Sequence, residues 1–393
     1  MVSLKFGISR AVGRVGVSSK GIVFANEAAR LTPLDPDAHR AKATVFRELG
    51  MLQNAKDELE IAVSLRPRDD YLWLELGQIL DELGDPVDAL DAFDHAVAAA
   101  PYYAHTRWQR ANLRLRMGRY DEAFPELREA ARSNRTYMPT LIDLAWSLSK
   151  QDIRLTEELA GIDSVEDRTA LARLLAKQGK GRETLEQYES IKSKVPAEIK
   201  HELVDALIAT FNYAEAFQIW SDTDGSVAPH SQIYDGGFEG LLNFGESSFG
   251  WRLIRQPQIT VSQDASEKES GGKSLLLEFA GDSPATSASV SQLIVVKPGY
   301  TYRLSFAVRS IDIVTGGAPI LVVEDARSRN RIRTTDLQLE PGLWHKLNIE
   351  FTAPPNCFAV LLRVLRNECQ ASPCPIFGRL WLDSFGMEES KPQ

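Results

Sequence analysis

The sequence has few of the residues and patterns on which catalytic chemistry usually depends. Its six histidines are scattered, and no two have the spacing of a metal-binding pair on a helix. It has no Gly-x-Ser-x-Gly nucleophile motif. Gly271–Ser274 matches only the end of a phosphate-binding loop, with Glu267 where that motif requires glycine. The sequence therefore predicts a protein that is not an enzyme, although paired carboxylates that meet only in the fold stay open.

Two further absences concern charge and hydrophobic length. The formal net charge is -9, which argues against a general nucleic-acid binder because such proteins need a basic face. No apolar run is long enough to predict a membrane-spanning helix. Residues 1–19 are mildly basic and broken by glycine and arginine, without the continuous apolar stretch of a secretory signal. We expect this segment to be disordered or a truncated leader.

Cysteine is also scarce, with three residues in the chain. Cys357 stands alone, whereas Cys369 and Cys374 flank a short loop that contains proline. The spacing allows a small disulfide, which would indicate an oxidising compartment, or two free thiols. The sequence leaves both alternatives open.

The first half of the chain contains an internal repeat with a period of 34 residues. A period of 34 predicts stacked helix–turn–helix units. Small alanines allow two helices to approach, glycine ends the first helix, and proline stops the second. The recurring positions are Gly50, Gly84 and Gly118; Ala55, Ala89 and Ala123; Ala62, Ala96 and Ala130; Leu59, Phe93 and Leu127; and Pro67 and Pro101.

The most regular unit runs from Asp70 to Tyr103. Its marker residues are Trp73, Leu76, Gly77, Leu80, Gly84, Ala89, Phe93, Ala96 and Pro101. This pattern closely resembles the tetratricopeptide-repeat family. We expect an α-solenoid of five to six units over residues 20–222, the last of them degenerate.

The resemblance implies a groove that is lined by the first helix of each unit and binds a protein partner. Helical spacing gives eight candidate groove residues: Arg40, Arg47, Gln78, Asp81, Trp108, Asn112, Arg116 and Trp146. The alternative is that they are solvated or capping residues. Some family members grip a C-terminal carboxylate with a lysine–asparagine–arginine clamp. The corresponding positions here are Arg40, Thr44, Glu75, His105 and Gln109, of which only the first suits such a clamp.

The helical pattern ends at Trp220, and residues 223–232 form a polar linker with Gly225 and Pro229. From residue 233 the pattern changes to short alternating segments separated by turn residues, which predicts an antiparallel β-sandwich over residues 233–388. Residues 389–393 form a tail. The expected fold class is thus multidomain α + β, with an N-terminal solenoid and a C-terminal sandwich.

The order of segments in this second region resembles the galactose-binding-like jelly rolls, in particular carbohydrate-binding modules. The segments are Asp235-Gly-Gly-Phe-Glu239, Phe249-Gly-Trp251, Gly272-Lys-Ser-Leu-Leu-Leu, Val296-Lys-Pro-Gly-Tyr-Thr-Tyr-Arg-Leu-Ser-Phe, Leu343-Trp-His-Lys-Leu and Gly378-Arg-Leu-Trp-Leu-Asp-Ser-Phe. The resemblance implies a structural calcium at Glu239 and Asp383, since carboxylate oxygens suit this cation. The alternative is that Glu239 is exposed and Asp383 bonds a backbone amide. No cofactor is otherwise expected.

Glycan binding requires exposed aromatic rings with polar neighbours. The candidate platforms are Trp251, Phe249 and Tyr300, and the candidate polar groups are Gln292, Arg309 and Glu324. No clear row of exposed tryptophans accompanies them, which departs from the family pattern. Arg327, Arg329, Arg331 and Arg333 alternate, so an extended hairpin would place them on one face that attracts an acidic polysaccharide or a phosphate. The alternative is a solvated hairpin tip.

These observations lead to three functional hypotheses. The first is a non-catalytic scaffold in bacterial envelope or exopolysaccharide assembly, whose repeats bind a protein and whose sandwich binds glycan or an assembly component. The second is a purely protein–protein adaptor, and the third a glycan-processing enzyme. The missing leader favours the cytoplasm, whereas the cysteine loop and glycan-type domain favour the periplasm or envelope. We expect the periplasm or envelope, with the cytoplasm as the alternative.

Overall fold

The computed structural model describes residues 19–224, 233–242, 244–245, 248–282, 288–337, 340–369 and 373–390. The chain divides into two compact units, residues 1–170 and 171–393. Parts of three predicted segments lie outside the described residues: 1–18 of the N-terminal segment, 225–232 of the linker and 391–393 of the tail.

The described residues up to 224 form α-helices joined by short turns, as the repeat pattern predicts. The thirteen helices in this range are α1 (Ser19–Leu31), α2 (Pro36–Glu48), α3 (Leu52–Leu65), α4 (Asp70–Leu83), α5 (Pro86–Ala99), α6 (Ala104–Arg116), α7 (Tyr120–Ser133), α8 (Met138–Leu148), α9 (Ile153–Ala160), α10 (Val165–Lys177), α11 (Gly181–Ile191), α12 (Ala197–Ala209) and α13 (Tyr213–Asp224). The division between the two units falls within α10.

The repeat residues explain where the helices of the first unit begin and end. Asp69 caps α4, since its carboxylate accepts hydrogen bonds from the backbone N–H groups of Tyr71 and Leu72. Gly84 ends the same helix in the left-handed conformation, at φ +84°, where its missing Cβ avoids a steric penalty. Pro86 then occupies the first turn of α5, where its missing N–H costs nothing.

The recurring spacing of small and large residues builds the interior of this unit. Ala55, Ala89 and Ala96 are fully buried, so neighbouring helix backbones can approach closely. Gly77 of α4 lies against the ring of Phe93 in α5, which is 2% exposed. The period of 34 is therefore a packing period, in which each pair of helices buries its apolar face against the next pair.

The second unit begins with α-helices whose contacts keep the same period. Thr210 donates a hydrogen bond to the carbonyl oxygen of Ala176 at 3.1 Å, and Tyr188 donates to Asp222 Oδ2 at 3.3 Å. Both pairs are separated by 34 residues.

The remaining described residues of the second unit form two antiparallel sheets. The strands are β1 (Arg252–Leu253), β2 (Ile259–Asp264), β3 (Ser274–Asp282), β4 (Val290–Val295), β5 (Thr301–Thr315), β6 (Pro319–Asp325), β7 (Arg331–Asp336), β8 (His345–Thr352), β9 (Ala359–Arg366) and β10 (Pro375–Ser390). Sheet A has the order β1-β4-β9-β6-β7, and sheet B has the order β2-β3-β10-β5-β8. The prediction of antiparallel β-structure in the C-terminal region is confirmed.

One hydrophobic core joins the inner faces of both sheets. Leu321 and Leu362 enter it from sheet A, and Tyr302 and Leu380 enter it from sheet B. The alternation is clearest in β8, where exposed and buried residues follow each other with a period of two. In β4 every residue is buried, and α13 packs against this strand.

The hairpin of β6 and β7 contains a bulge that determines where its arginines lie. Arg331 is registered opposite Glu324, whereas Arg333 is registered opposite Val323, a core residue. The register shifts between these two pairs. Since residues paired across antiparallel strands share a face, Arg331 and Arg333 lie on different faces of sheet A. The prediction that all four alternating arginines share one face is therefore wrong.

Cys369 and Cys374 are joined by a disulfide, with their Cα atoms 5.8 Å apart. This is one of the two alternatives that the sequence left open. The third cysteine, Cys357, is a buried thiol in the core between the sheets.

Candidate functional site

The first helices of successive pairs in the first unit are linked by ion pairs along one face, which we call the first-helix face. It is formed by α2, α4 and α6. Arg40 of α2 donates two hydrogen bonds to the carboxylate of Glu75 in α4, at 2.8 and 3.0 Å. Its guanidinium also lies 4.3 Å from the ring centre of Tyr71. The one predicted groove residue suited to a carboxylate clamp is thus already paired.

The other predicted charges on this face are paired in the same way. Arg47 bonds Glu82, and it donates to Gln78 Oε1 at 3.3 Å. Arg116 of α6 pairs with Asp81 of α4. The structure therefore brings Arg40, Arg47, Gln78, Asp81 and Arg116 onto one face, with their charges largely neutralised.

Asn112 lies on the same face of α6, one turn before Arg116. Gln109 lies one turn earlier and belongs to the same helical stripe. Both side chains are half-buried, and neither has a hydrogen-bond partner among the described residues. A side-chain amide without a partner offers two donors and an acceptor.

Two predicted groove residues lie in the interior instead. Trp146 is 5% exposed, and Trp108 is 9% exposed and stacks on Tyr137 with ring centres 4.6 Å apart. Their large apolar area is used in packing between successive helices. These tryptophans cannot present an open ring face to a partner, which corrects the expectation for them.

The predicted aromatic platforms of the second unit are also buried. Trp251 is 7% exposed and lies in the core, with its ring centre 4.8 Å from that of Phe238. It donates its indole N–H to the carbonyl oxygen of Asp235 at 3.0 Å. Phe249 is 2% exposed and lies 5.2 Å, between ring centres, from Phe217 of α13. Neither ring is placed to stack on a sugar, since stacking requires an open face.

The remaining glycan candidates are dispersed, and the structure does not bring them together. Tyr300 is partly buried beneath the Lys297 ammonium. Gln292 is 1% exposed and exchanges two hydrogen bonds with the backbone of Tyr234. Arg309 of sheet B pairs with Glu267, whereas Glu324 lies on sheet A. The six residues predicted as a glycan site thus do not form one site.

Glu239 and Asp383 both accept hydrogen bonds from backbone N–H groups. Asp383 is fully buried, and its Oδ2 accepts from Glu269 at 2.8 Å and from Ser270 at 3.0 Å. Glu239 is exposed, and its Oε1 accepts from the N–H of Gly272 at 2.7 Å. Among the described residues, no three histidine, cysteine, aspartate or glutamate side chains are grouped to hold a metal ion. Calcium also accepts carbonyl and water oxygens, so a calcium site here stays a prediction.

A cleft of about 830 Å³ lies on the outer face of sheet A, and we call it the sheet A cleft. Its floor includes Leu293 of β4, Leu361 and Arg363 of β9, and Glu324 of β6. Glu324 is 4% exposed and accepts a hydrogen bond from Arg363 at 3.0 Å. The floor is therefore partly aliphatic, with one neutralised ion pair.

The walls and rim of this cleft come from distant parts of the chain. Ile208 and Tyr213, of α12 and α13, form one wall. Arg252 of β1 and two arginines of the β6–β7 hairpin, Arg329 and Arg331, also line the cleft. The sequence pattern points to Glu324 and to two of the alternating arginines, but as separate features, because nothing local connects α12, β1 and the hairpin.

Residues 40–104 match the family model described as tetratricopeptide repeat. Protein FlbA of Caulobacter vibrioides is 30% identical over 101 residues, which is 26% of this chain and 17% of that protein. The match thus spans less than a fifth of the relative's length.

Solved structures of other proteins are similar at low identity. MamA 41-end from Desulfovibrio magneticus RS-1 is 21% identical, with a TM-score of 0.35, over 40% of this chain and 89% of that chain. YrrB, described as a TPR protein with an unusual peptide-binding site, is 15% identical, with a TM-score of 0.27, over 51% of this chain and 90% of that chain. Among the described residues, no helix combines the length and apolar character needed to cross a membrane. The family match over residues 40–104, together with the 34-residue packing period and the helix pairs, supports tetratricopeptide repeats within the N-terminal region of this chain.

Proposed function

We propose that this protein is a non-catalytic adaptor that binds an extended segment of a partner protein on the first-helix face. The observation that carries the proposal is the pair of amide side chains, Gln109 and Asn112, on successive turns of α6. They have no partner among the described residues, although the surrounding charges are paired. An amide group can donate to a backbone carbonyl and accept from a backbone N–H, so it suits a polypeptide in any sequence context.

The paired charges define what kind of partner this face accepts. Arg40, Arg47 and Arg116 are each engaged by a carboxylate of α4. An acidic or basic partner segment would have to displace one of these pairs. The face therefore favours a segment that is recognised through its backbone and its apolar side chains rather than through its charge.

The proposal assigns no reaction to the chain. Glycoside hydrolysis needs two carboxyl groups that flank the bond to be broken. The residues that line the sheet A cleft include a single carboxylate, Glu324, which is paired with Arg363. This arrangement supports a binding role for that cleft.

The same proposal gives the sheet domain a protein-binding role, because the predicted sugar platforms Trp251 and Phe249 are buried. Glycan binding and a place in envelope or exopolysaccharide assembly stay predictions from the resemblance to carbohydrate-binding modules. Titration of the full chain with acidic and neutral bacterial polysaccharides tests them. Saturable binding would favour the glycan-binding scaffold over the adaptor.

The adaptor proposal is tested by panning a display library of fragments of the source proteome on the full chain. Enriched segments are then synthesised, and their affinities measured by isothermal titration calorimetry. We expect Gln109→Ala with Asn112→Ala to weaken binding by about tenfold or more, because two hydrogen-bonding groups are removed. Alanine is a strong helix former, so α6 should persist.

Asn54→Ala is the matched control. Asn54 is an exposed amide on α3, a second helix of its pair, away from the first-helix face. Its removal should leave the affinity unchanged. Segments that bind the double variant as tightly as the wild type would contradict the proposed site.

A further inference from the structure

The sheet A cleft contains cationic groups that have no ion-pair partner among the described residues. Arg252, Arg329 and Arg331 line it and are exposed. None of these three guanidinium groups has a hydrogen bond or an ion pair within the part of the chain that the structure describes. By contrast, the arginines of the first-helix face are paired. The cleft therefore holds an excess of positive charge in a protein whose net charge is -9.

The negative charge inside the cleft does not offset this excess. The one carboxylate among the lining residues is Glu324, and its neighbour Arg363 already neutralises it. A guanidinium presents a planar set of N–H donors that matches a carboxylate through two parallel hydrogen bonds. Three such groups around one cavity favour a ligand with several carboxylates.

The other residues that line the cleft indicate which side chains the ligand carries between its carboxylates. Ile208, Ile254, Leu293 and Leu361 contribute aliphatic surface to the cleft. The one aromatic lining residue, Tyr213, is 5% exposed, so its ring offers no open face for a sugar. Aliphatic side chains of a peptide would cover this surface, whereas a uronic-acid chain carries polar groups on every ring. The volume of about 830 Å³ accommodates a short segment.

The backbone at the rim holds one arginine in an unusual conformation. Arg329 has φ +61°, in the left-handed region that favours glycine. The turn is fixed by Asp325, whose Oδ1 accepts from the N–H groups of Arg327 at 2.8 Å and Ser328 at 3.0 Å. The sequence thus has arginine at a position where glycine would be less strained.

We propose that the sheet A cleft binds an acidic, aliphatic-containing peptide segment of a partner protein, with Arg252, Arg329 and Arg331 holding its carboxylates and the aliphatic floor holding its apolar side chains. This is a second binding site, and it does not depend on the first-helix face. The proposed ligand of the sheet domain is negatively charged, whereas the arginines at the rim of the cleft are positively charged. A protein with both sites joins two different polypeptides.

Fluorescence anisotropy of the full chain with a short fluorescein-labelled peptide tests this proposal. The probe has glutamates alternating with leucine and serine. The comparison probes are the same peptide with lysine in place of glutamate, and a labelled oligogalacturonate. We expect saturable binding of the acidic peptide that weakens as salt is added, and no binding of the lysine peptide.

Arg329→Gly with Arg331→Gln is the decisive variant. Glycine relieves the left-handed backbone at position 329, so folding is retained while two guanidiniums are lost. The acidic peptide should bind about tenfold more weakly or worse. Arg252→Gln, on the opposite edge of sheet A, should weaken binding independently of the hairpin.

Arg333→Gln is the matched control, because it removes one arginine from the same hairpin outside the cleft lining. It should bind the acidic peptide like the wild type, as should the Gln109 and Asn112 variants. Equal affinity of wild type and cleft variants, or equal binding of the lysine peptide, overturns the proposal. Preferential binding of the oligogalacturonate also overturns it, and would identify the occupant as an acidic glycan.

Discussion

Glu324 on β6 accepts a hydrogen bond from Arg363 on β9 at 3.0 Å, in the floor of the sheet A cleft. The Glu324 side chain is 5% exposed and that of Arg363 is 23% exposed. Little solvent reaches the Glu324 carboxylate, so its charge depends on the ion pair with Arg363. This dependence makes the pair a sensitive test of the packing on the outer face of sheet A.

Glu324→Leu should lower the free energy of unfolding by about 2 kcal/mol, because it removes a charge-assisted hydrogen bond between Arg363 and a buried carboxylate. The exposed pair of Arg303 and Glu350, with side chains 58% and 60% exposed, is the control. Glu350→Leu should cost less than about 1 kcal/mol. Chemical denaturation of the full chain, followed by tryptophan fluorescence, measures both. Equal effects would contradict the role of the cleft pair.

Gly77→Ala should destabilise the first unit although alanine favours helices. A Cβ at position 77 would lie 2.7 Å from two ring carbons of Phe93, which is 2% exposed and cannot move away freely. The gain of about 1 kcal/mol in helix propensity is outweighed by overpacking of about 1–3 kcal/mol. Circular dichroism at the helix band during urea denaturation measures the difference.

Two further variants distinguish overpacking against Phe93 from backbone strain as the cause of this destabilisation. Phe93→Leu should rescue Gly77→Ala in part, because the smaller side chain makes room for the new methyl group. Gly84→Ala has nothing within 4 Å of its Cβ, but φ is +84° there. It should cost about 1 kcal/mol without any rescue by Phe93→Leu. A stabilising Gly77→Ala would show that the helices are less tightly packed than described.

The helical region could be predicted from sequence because its constraints are local and repeated. Gly50, Gly84 and Gly118 all have positive φ, so the same turn requires the same residue once per period. The buried alanines recur because each helix pair packs on the next. The 34-residue period therefore predicted both the helices and the residues that are buried between them.

The site in the sheet domain could not be predicted in the same way. Trp251 and Phe249 have the residue types of a sugar platform, but α13 and the core cover them. Phe249 is covered by Phe217 of α13, and Trp251 by Phe238 and Phe385 of the core. None of these is adjacent in sequence to the residue that it covers. The arginine pattern predicted a hairpin with its arginines on one face. The bulge at Val323 and Glu324 instead places Arg331 and Arg333 on different faces of sheet A. A register shift of this kind leaves no period in the sequence.

The three cysteines should react differently with iodoacetamide. Cys369 and Cys374 are joined, and Cys357 is fully buried, with a pKa that burial raises to about 12. The native protein should therefore take up no label, since both thiolate formation and access are prevented. Unfolding without a reductant should expose only Cys357, and reduction should add the other two. Mass spectrometry counts the labels, and three labels without reductant would contradict the disulfide.

Calcium should be tested at Glu239 and Asp383, where the resemblance predicts a cation. Bound calcium would raise the melting temperature of the wild type relative to EDTA, by linkage of binding to folding. Asp383→Asn should abolish that rise. If calcium and EDTA give the same melting temperature, the calcium prediction is wrong. Asp383→Asn should lower the melting temperature in both solutions, because the buried carboxylate accepts backbone N–H groups.

Asp264 should make the stability of the sheet domain sensitive to acid. Its carboxylate accepts hydrogen bonds from the Ser266 hydroxyl at 2.6 Å and from the indole N–H of Trp381 at 2.9 Å. These bonds, chiefly that from Ser266, lower its pKa from 3.8 to about 2. A carboxyl group whose pKa is lower in the folded state stabilises the fold above the unfolded pKa. That contribution is lost as the pH falls from 3.8 towards 2.

The difference in melting temperature between wild type and Asp264→Asn should therefore be constant near neutral pH and shrink across that acid range. Calorimetry of both proteins over a pH series measures it. Glu278→Gln is the control, since Glu278 is exposed on β3 of the same sheet and has no hydrogen-bond or ion-pair partner among the described residues. The melting temperature of the wild type could instead exceed that of Asp264→Asn by the same amount at the lowest pH of the series. That result would show that the Ser266 and Trp381 hydrogen bonds do not depend on the ionised carboxylate.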